Sequence, residues 1–198
     1  MPLIIKLWEN EKNWGILCMT INIEIKAKCS NPEKVREILK VEGAIYKGID
    51  HQVDTYFNVN NGRLKLREGT IENNLISYQR EEKKGPKESD YILYKTEPNT
   101  TLKDVLIRSL GIHIVVDKQR EIYFIDNLKF HIDSVENLGN FIEIEAIDKG
   151  GSIGKEKLLK QCKQYMNLFG VCEEDLLSNS YSDLLEEVSY NKAKKQNR

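Results

Sequence analysis

Several short stretches of this chain carry a charged side chain at every second position, and each stretch holds charges largely of one sign. Arg63, Lys65 and Arg67 alternate with Leu64 and Leu66. Lys118 and Arg120 keep the same alternation, and Glu143 and Glu145 repeat it with carboxylates. Glu24 and Asp133 occupy comparable positions in their own stretches. A period of two puts successive side chains on opposite faces of a β-strand. These stretches therefore read as strands with one apolar and one charged face.

The rest of the chain supplies the turns and helices. Thr20–Lys28 is a strand, with Ile21, Ile23, Ile25 and Ala27 on one face and Asn22, Glu24, Lys26 and Lys28 on the other. Ser30-Asn31-Pro32-Glu33 starts a helix, since proline is tolerated in a first helical turn. His51–Val59 and Arg63–Glu68 flank Asn60-Asn61-Gly62, a hairpin signal. Strands follow at Leu75–Arg80 and Tyr91–Thr96, around a Gly/Pro/Lys-rich loop. A helix over Thr100–Leu110 stops at Gly111. Ile112–Lys118, Gln119–Ile125, Leu128–Ser134 and Phe141–Ile147 read as four more strands. Helical patterns cover Gly154–Phe169, Glu173–Leu177 and Tyr181–Glu187. About eight strands joined by hairpin-length connections predict an α+β, antiparallel fold. No GxGxxG or GxxxxGK[ST] loop is present, which argues against the nucleotide folds that use one.

Composition narrows the function classes. The formal net charge is −1, which gives no global attraction to nucleic acid or to a membrane surface. No apolar run approaches the about 20 residues that span a bilayer. The four cysteines include no CxxC pair, so they read as reduced thiols of a cytoplasmic protein. Regular patterning begins after Met19. Residues 1–18 are therefore expected to be an appendage, 19–188 the folded domain, and 189–198 a basic solvated tail.

A charged face is ordinarily the wet side of a sheet, and periodicity alone favours that reading. The sorting of signs and the number of charged strands favour another. Like charges facing each other at about 4 Å, with an effective dielectric near 20, cost on the order of 4 kcal/mol per pair. A divalent metal would offset that cost for the carboxylates, and an anion for the cations. Closing the strands with their charged faces inward would make a polar, water-filled tunnel, with helices covering the apolar outside. Carboxylates bind hard cations such as Mg²⁺ or Mn²⁺, and arginine grips phosphate with two bonds. A polyphosphate bridged by metal suits both clusters.

Asn22-Ile-Glu24-Ile-Lys26 resembles the Glu-x-Glu-x-Lys strand that marks the CYTH-domain proteins, also called triphosphate tunnel metalloenzymes. Further matching segments are His51-Gln-Val-Asp-Thr-Tyr-Phe57, Arg63-Leu-Lys-Leu-Arg67, Gly85-Pro-Lys-Glu-Ser-Asp-Tyr91 and Val116-Asp-Lys-Gln-Arg-Glu-Ile-Tyr-Phe124. Phe130-His-Ile-Asp133, Leu138-Gly-Asn-Phe-Ile-Glu-Ile-Glu145 and Tyr181-Ser-Asp-Leu-Leu185 complete the ordered set. The resemblance covers roughly residues 20–187 and is nearest the class IV adenylyl cyclase-like branch.

The resemblance implies a closed antiparallel eight-stranded barrel with helices packed outside. It implies Mg²⁺ or Mn²⁺ held by Glu24, Glu143 and Glu145, with Asp133 nearby. Lys26, Lys65, Arg67, Arg80, Lys118 and Arg120 would bind phosphate, with Arg63 and Lys87 as weaker additions. Glu24 and Lys26 would serve catalysis. The implied substrate is ATP, thiamine triphosphate or tripolyphosphate, and a homodimer is compatible with the family. The implied activity is cyclisation of ATP, with triphosphate hydrolysis or non-catalytic polyphosphate binding as alternatives. Asn22 departs from the pattern, because it brings no negative charge to the first hallmark position. His131 shares the face of Asp133 and reads as a structural histidine. Tyr56 and Tyr78 read as packing aromatics.

Overall fold

The computed structural model of the protein describes residues 20–80 and 85–196; the side chains of Thr20, Arg80, 87–90 and 195–196 lie outside what it describes. In chain order the elements are β1 (Thr20–Lys28), α1 (Pro32–Val41), β2 (Ile45–Phe57), β3 (Arg63–Gly69), β4 (Asn74–Arg80) and β5 (Lys87–Lys95). Then come α2 (Leu102–Leu110), β6 (Ile112–Ile125), β7 (Leu128–Val135), β8 (Gly139–Lys149), α3 (Lys155–Phe169), a 3₁₀ turn (Glu173–Asp175) and α4 (Tyr181–Gln196). The strands form one curled antiparallel sheet in the order β1-β5-β4-β3-β2-β6-β7-β8, and β8 returns to β1. The return seam is long, from Thr20↔Lys149 to Lys28↔Phe141. The other flank of β1 meets β5 only at Ile23↔Glu88 and Glu24↔Lys87.

Several segmentations differ from the sequence expectation: β2 begins at Ile45 and not at His51, and β5 begins at Lys87, within the stretch expected as a loop. Ile112–Ile125 is one strand, not two, because Lys118 and Arg120 keep the alternation through Gln119 and both face inward. Helix α4 runs to Gln196, through residues whose charges suggested a tail. Its exposed positions 191–194 need no core, so charge alone did not separate helix from coil. The expected appendage, residues 1–18, lies outside the described residues.

Local chemistry sets the helix starts. The Asn31 side chain accepts the Lys34 N–H at 3.1 Å and caps α1, with Pro32 in its first turn. The buried Asp148 carboxylate accepts the backbone N–H groups of Ser152, Ile153 and Gly154, which fixes the approach to α3. That helix ends on Gly170 in the left-handed region, at φ 73°.

The main core lies outside the curled sheet. Ile23, Ile25, Ala27, Phe130, Ile132, Ile142, Ile144 and Ala146 point outward from β1, β7 and β8. They pack on Val35 and Leu39 of α1 and on Leu158, Cys162, Tyr165 and Phe169 of α3. Each large side chain so buried contributes about 1.5–3 kcal/mol. A second cluster joins Tyr56, Val116, Val135 and Phe141 to Tyr181 of α4. Cover is incomplete elsewhere: Ile49, Ile92, Tyr94 and Val115 are exposed on the outer faces of β2, β5 and β6. Among the described residues the helices therefore cover only part of the apolar exterior. Among the described residues no helix is long and apolar enough to cross a membrane, and Cys29, Cys162 and Cys172 are free thiols.

Candidate functional site

The inner face of the sheet is charged and carries many of its own ion pairs. Gln52, Asp54, Lys118, Arg120, His131 and Asp133 are each 4% exposed or less. Burying such groups is tolerable only when each finds a partner of opposite charge or a hydrogen bond.

Asp54 of β2 organises the cations. It lies opposite Arg67 of β3, while its neighbour Gln52 lies opposite Lys118 of β6. Its Oδ2 takes Lys65 Nζ and Lys118 Nζ, each at 2.8 Å, and Arg67 Nη2 at 2.9 Å. Its Oδ1 takes Arg67 Nε at 2.8 Å. Burial pushes this carboxyl up, but Arg67, Lys118 and Lys65 more than reverse the effect and hold it well below the usual carboxylate range. Burial, together with the cations Arg67, Arg120 and Lys65, brings the Lys118 ammonium down to about 7, against the pull of Asp54.

A second group surrounds Arg120. Its guanidinium grips Asp133 through Nε at 2.7 Å and Nη2 at 2.5 Å, and Nη2 also reaches Glu143 Oε2 at 2.7 Å. Tyr181 Oη donates to Asp133 Oδ2 at 2.7 Å. Lys26 Nζ pairs with Glu143 Oε1 at 2.7 Å and stands 3.7 Å above the Tyr181 ring. The turn after the 3₁₀ segment makes this possible, because Leu177 N–H donates to the Lys26 carbonyl and leads the chain back to the sheet. Asp133, expected beside the metal-binding carboxylates, is thus engaged by Arg120 and Tyr181.

The carboxylate cluster stands next to this group. His131, Glu143 and Glu145 each offer a ligand atom, and these atoms lie within 4.8 Å of one another. His131 Nδ1 is 3.2 Å from Glu143 Oε2 and 3.5 Å from Glu145 Oε1. Glu24 of β1 lies directly opposite Glu145 of β8. Burial, then the like charges of Glu143 and Glu24, push the Glu145 carboxyl up to about 7, although Lys129 opposes them. Burial and the cations Arg120 and Lys129 bring His131 down to about 3, so its imidazole is neutral at pH 7. His131 Nε2 and Asn22 Oδ1 are buried without a hydrogen-bond partner. Neutral imidazole, carboxylate and amide oxygen are all metal donors, so the residues present fit a divalent cation.

The remaining expected residues lie further out. Arg63 turns towards α4, with Ser180 Oγ at 2.5 Å and Asp183 at 2.8 Å. Arg80 and Lys87 are placed on β4 and β5, but their side chains lie outside the described set. Asp54, the partner of three cations, carries no role in the sequence expectation; His131, expected to be structural, stands beside Glu143 and Glu145; and Tyr181, in a matching segment but without an expected role, reaches the interior from α4 through its hydroxyl.

Comparison with known proteins agrees with this fold. A Methanocaldococcus jannaschii protein named "Putative adenylate cyclase" is 28% identical over 182 residues, covering 83% of this chain and 98% of its own. A Pyrococcus horikoshii structure superposes with a TM-score of 0.67 at 24% identity, covering 82% of this chain and 98% of that one. A conserved hypothetical protein from Pyrococcus furiosus superposes with a TM-score of 0.68 at 22% identity, covering 82% and 99%. Both structures share the fold. The CYTH domain pattern matches residues 20–181, and the chain belongs to the CYTH domain family.

Proposed function

We propose that the protein binds a divalent-metal complex of a triphosphate on the inner face of its curled sheet and carries out phosphoryl-transfer chemistry on it. One observation carries the reading: the His131, Glu143 and Glu145 cluster and the cations Lys26, Lys65, Arg67, Lys118 and Arg120 share one buried inner face. In this reading the short β1–β5 seam closes the sheet into a tunnel, which excludes water from the charged groups.

Glu24, Glu143, Glu145 and His131 would hold Mg²⁺ or Mn²⁺, and Asn22 could add an amide oxygen. The bound metal would neutralise charge that develops on the phosphate oxygens. Lys65, Arg67, Lys118 and Arg120 would orient the phosphate chain, exchanging part of their contact with Asp54 and Asp133 for contact with substrate. Arg63, Arg80 and Lys87 would extend that grip at the periphery. Lys26 would leave Glu143 and stabilise the developing charge, while Glu24 helps to position the attacking group. A ribose hydroxyl attacking the α-phosphorus gives a cyclic nucleotide and pyrophosphate. Water attacking the terminal phosphorus gives orthophosphate.

Assays with ATP, thiamine triphosphate and tripolyphosphate, each with Mg²⁺ or Mn²⁺, test the reading and separate the products. Turnover of none of them would sink the enzymatic reading. Asn22 favours a second reading, a non-catalytic polyphosphate-binding module, because the first hallmark position lacks its charge. Tight binding without turnover would support that reading, and Asn22→Glu should then gain activity.

A further inference from the structure

The turn between β3 and β4 carries an ion pair that the proposed chemistry leaves unused. Asp50 braces this turn from beneath and is fully buried. Its carboxylate accepts Thr70 Oγ1 at 3.0 Å, the Ile71 N–H at 2.7 Å, the Glu72 N–H at 3.0 Å and Gln52 Nε2 at 2.7 Å. Asn73 staples the turn shut by accepting the Gly69 N–H at 3.2 Å and donating to the Gly69 carbonyl at 2.9 Å. A Cβ at position 69 would stand 2.6 Å from the Glu72 carbonyl oxygen and 2.7 Å from Asp50 Oδ1, so only glycine fits there.

Held this way, Glu72 reaches into the interior. Its carboxylate pairs with Lys129 of β7 at 2.8 Å and with Arg67 of β3 at 3.2 Å, and it accepts Gln52 Nε2 of β2 at 3.3 Å. In the strand order β3 and β7 are separated by β2 and β6. One side chain on a braced turn therefore ties together two walls that do not touch. The turn joins the end of β3 to the start of β4, so it stands at one end of the sheet. Tyr181 packs against Val135 and Phe141 at the opposite end, where β7 finishes and β8 begins.

We propose that Glu72 is a crossbar that closes the β3–β4 end of the interior and limits the length of phosphate chain the site accepts. The inference rests on the triphosphate reading above. A chain that ends at Arg67 leaves the crossbar in place. A longer chain must reach towards Lys129, and its added negative charge then meets the Glu72 carboxylate. It must either displace that carboxylate from both cations or stand against it. The crossbar thus acts by excluding longer substrates, not by binding shorter ones more tightly.

Calorimetric titration of the full chain with tripolyphosphate and with a linear hexaphosphate, both with Mn²⁺, tests the inference. The wild type should bind tripolyphosphate more tightly, and Glu72→Gln should shrink that preference by about tenfold, chiefly by improving hexaphosphate binding. The glutamine keeps one acceptor oxygen, enough for Lys129 while its NH2 faces Arg67, and a cooperative urea transition would show that the variant is folded. Equal wild-type affinities would overturn the crossbar alone, as would a Glu72→Gln change that strengthens both ligands equally. Binding of neither ligand by the wild type would overturn the triphosphate reading and the crossbar with it.

Discussion

Replacing Asp54 with alanine should unfold much of what holds the charged interior together. Asp54 is 1% exposed and receives four contacts of 2.8–2.9 Å from Lys65, Arg67 and Lys118. Removing one partner of a buried ion pair leaves uncompensated charge and costs about 3–5 kcal/mol. Here three cations lose a shared partner, so the upper end of that range is expected. A domain of this kind has only about 5–15 kcal/mol of stability in total. Urea unfolding at pH 7.5 measures the loss directly. Tripolyphosphate should then restore more stability to the variant than it adds to the wild type, because an anion can take the place of the carboxylate. Ligand at about 100 times its dissociation constant contributes about 2.7 kcal/mol through binding alone, and the variant should exceed the wild-type gain. A loss under about 1 kcal/mol would refute the claim that Asp54 holds the cations. Equal rescue of both proteins would refute the claim that phosphate and Asp54 compete for them.

Other expectations follow from the same geometry. Glu145 has its folded pKa raised from 4.5 to about 7, so its contribution to apo stability is full below 4.5 and is lost as pH rises through 7. The shift sets a ceiling of about 3 kcal/mol, reduced because the side chain is 18% exposed, and urea midpoints from pH 4 to 8 should lose this slope in Glu145→Gln. For the same reason Mn²⁺ affinity should climb as pH rises through about 7, with proton release that calorimetry in buffers of different ionisation enthalpy can count. Glu143→Gln should weaken Mn²⁺ by more than the about 10–100-fold that loss of an outer partner costs, because Glu143 also faces Lys26 and Arg120. Phe130→Ala should cost about 3–5 kcal/mol in urea unfolding, because the ring is fully buried between Tyr165 and Phe169.

Much of the sheet was legible in the chain because period-two alternation maps directly onto the two faces of a strand. Ile23, Ile25 and Ala27 do face α3, and Lys26 does face inward. The alternation also put Lys65, Arg67, Lys118 and Arg120 on the charged faces of their strands, although alternation alone does not say that those faces point inward. It could not say which strands would be neighbours. The sorted charges suggested like-charged clusters that need outside ligands to exist. In the fold, β2 sets Asp54 between cationic β3 and β6, and β7 sets Asp133 against Arg120. The cations are therefore largely neutralised from within. Among the described residues a like-charge contact persists at Glu145, where burial, then Glu143 and Glu24, push the carboxyl's pKa up against the pull of Lys129. Glu72 was hidden for a different reason: it sits in a turn, where alternation carries no information. His131 was visible on the correct face, but only the register opposite Glu143 brings it to the carboxylates.

Tripolyphosphate titration with and without Mn²⁺, for wild type, Arg67→Ala and Glu143→Gln, separates the phosphate-binding and metal-binding roles of the interior. The wild type should show one saturable site, strengthened by Mn²⁺. Arg67→Ala should lose affinity with or without metal, and Glu143→Gln should lose chiefly the metal-dependent part. No binding by folded wild type, or identical binding by all three proteins, would contradict the triphosphate reading.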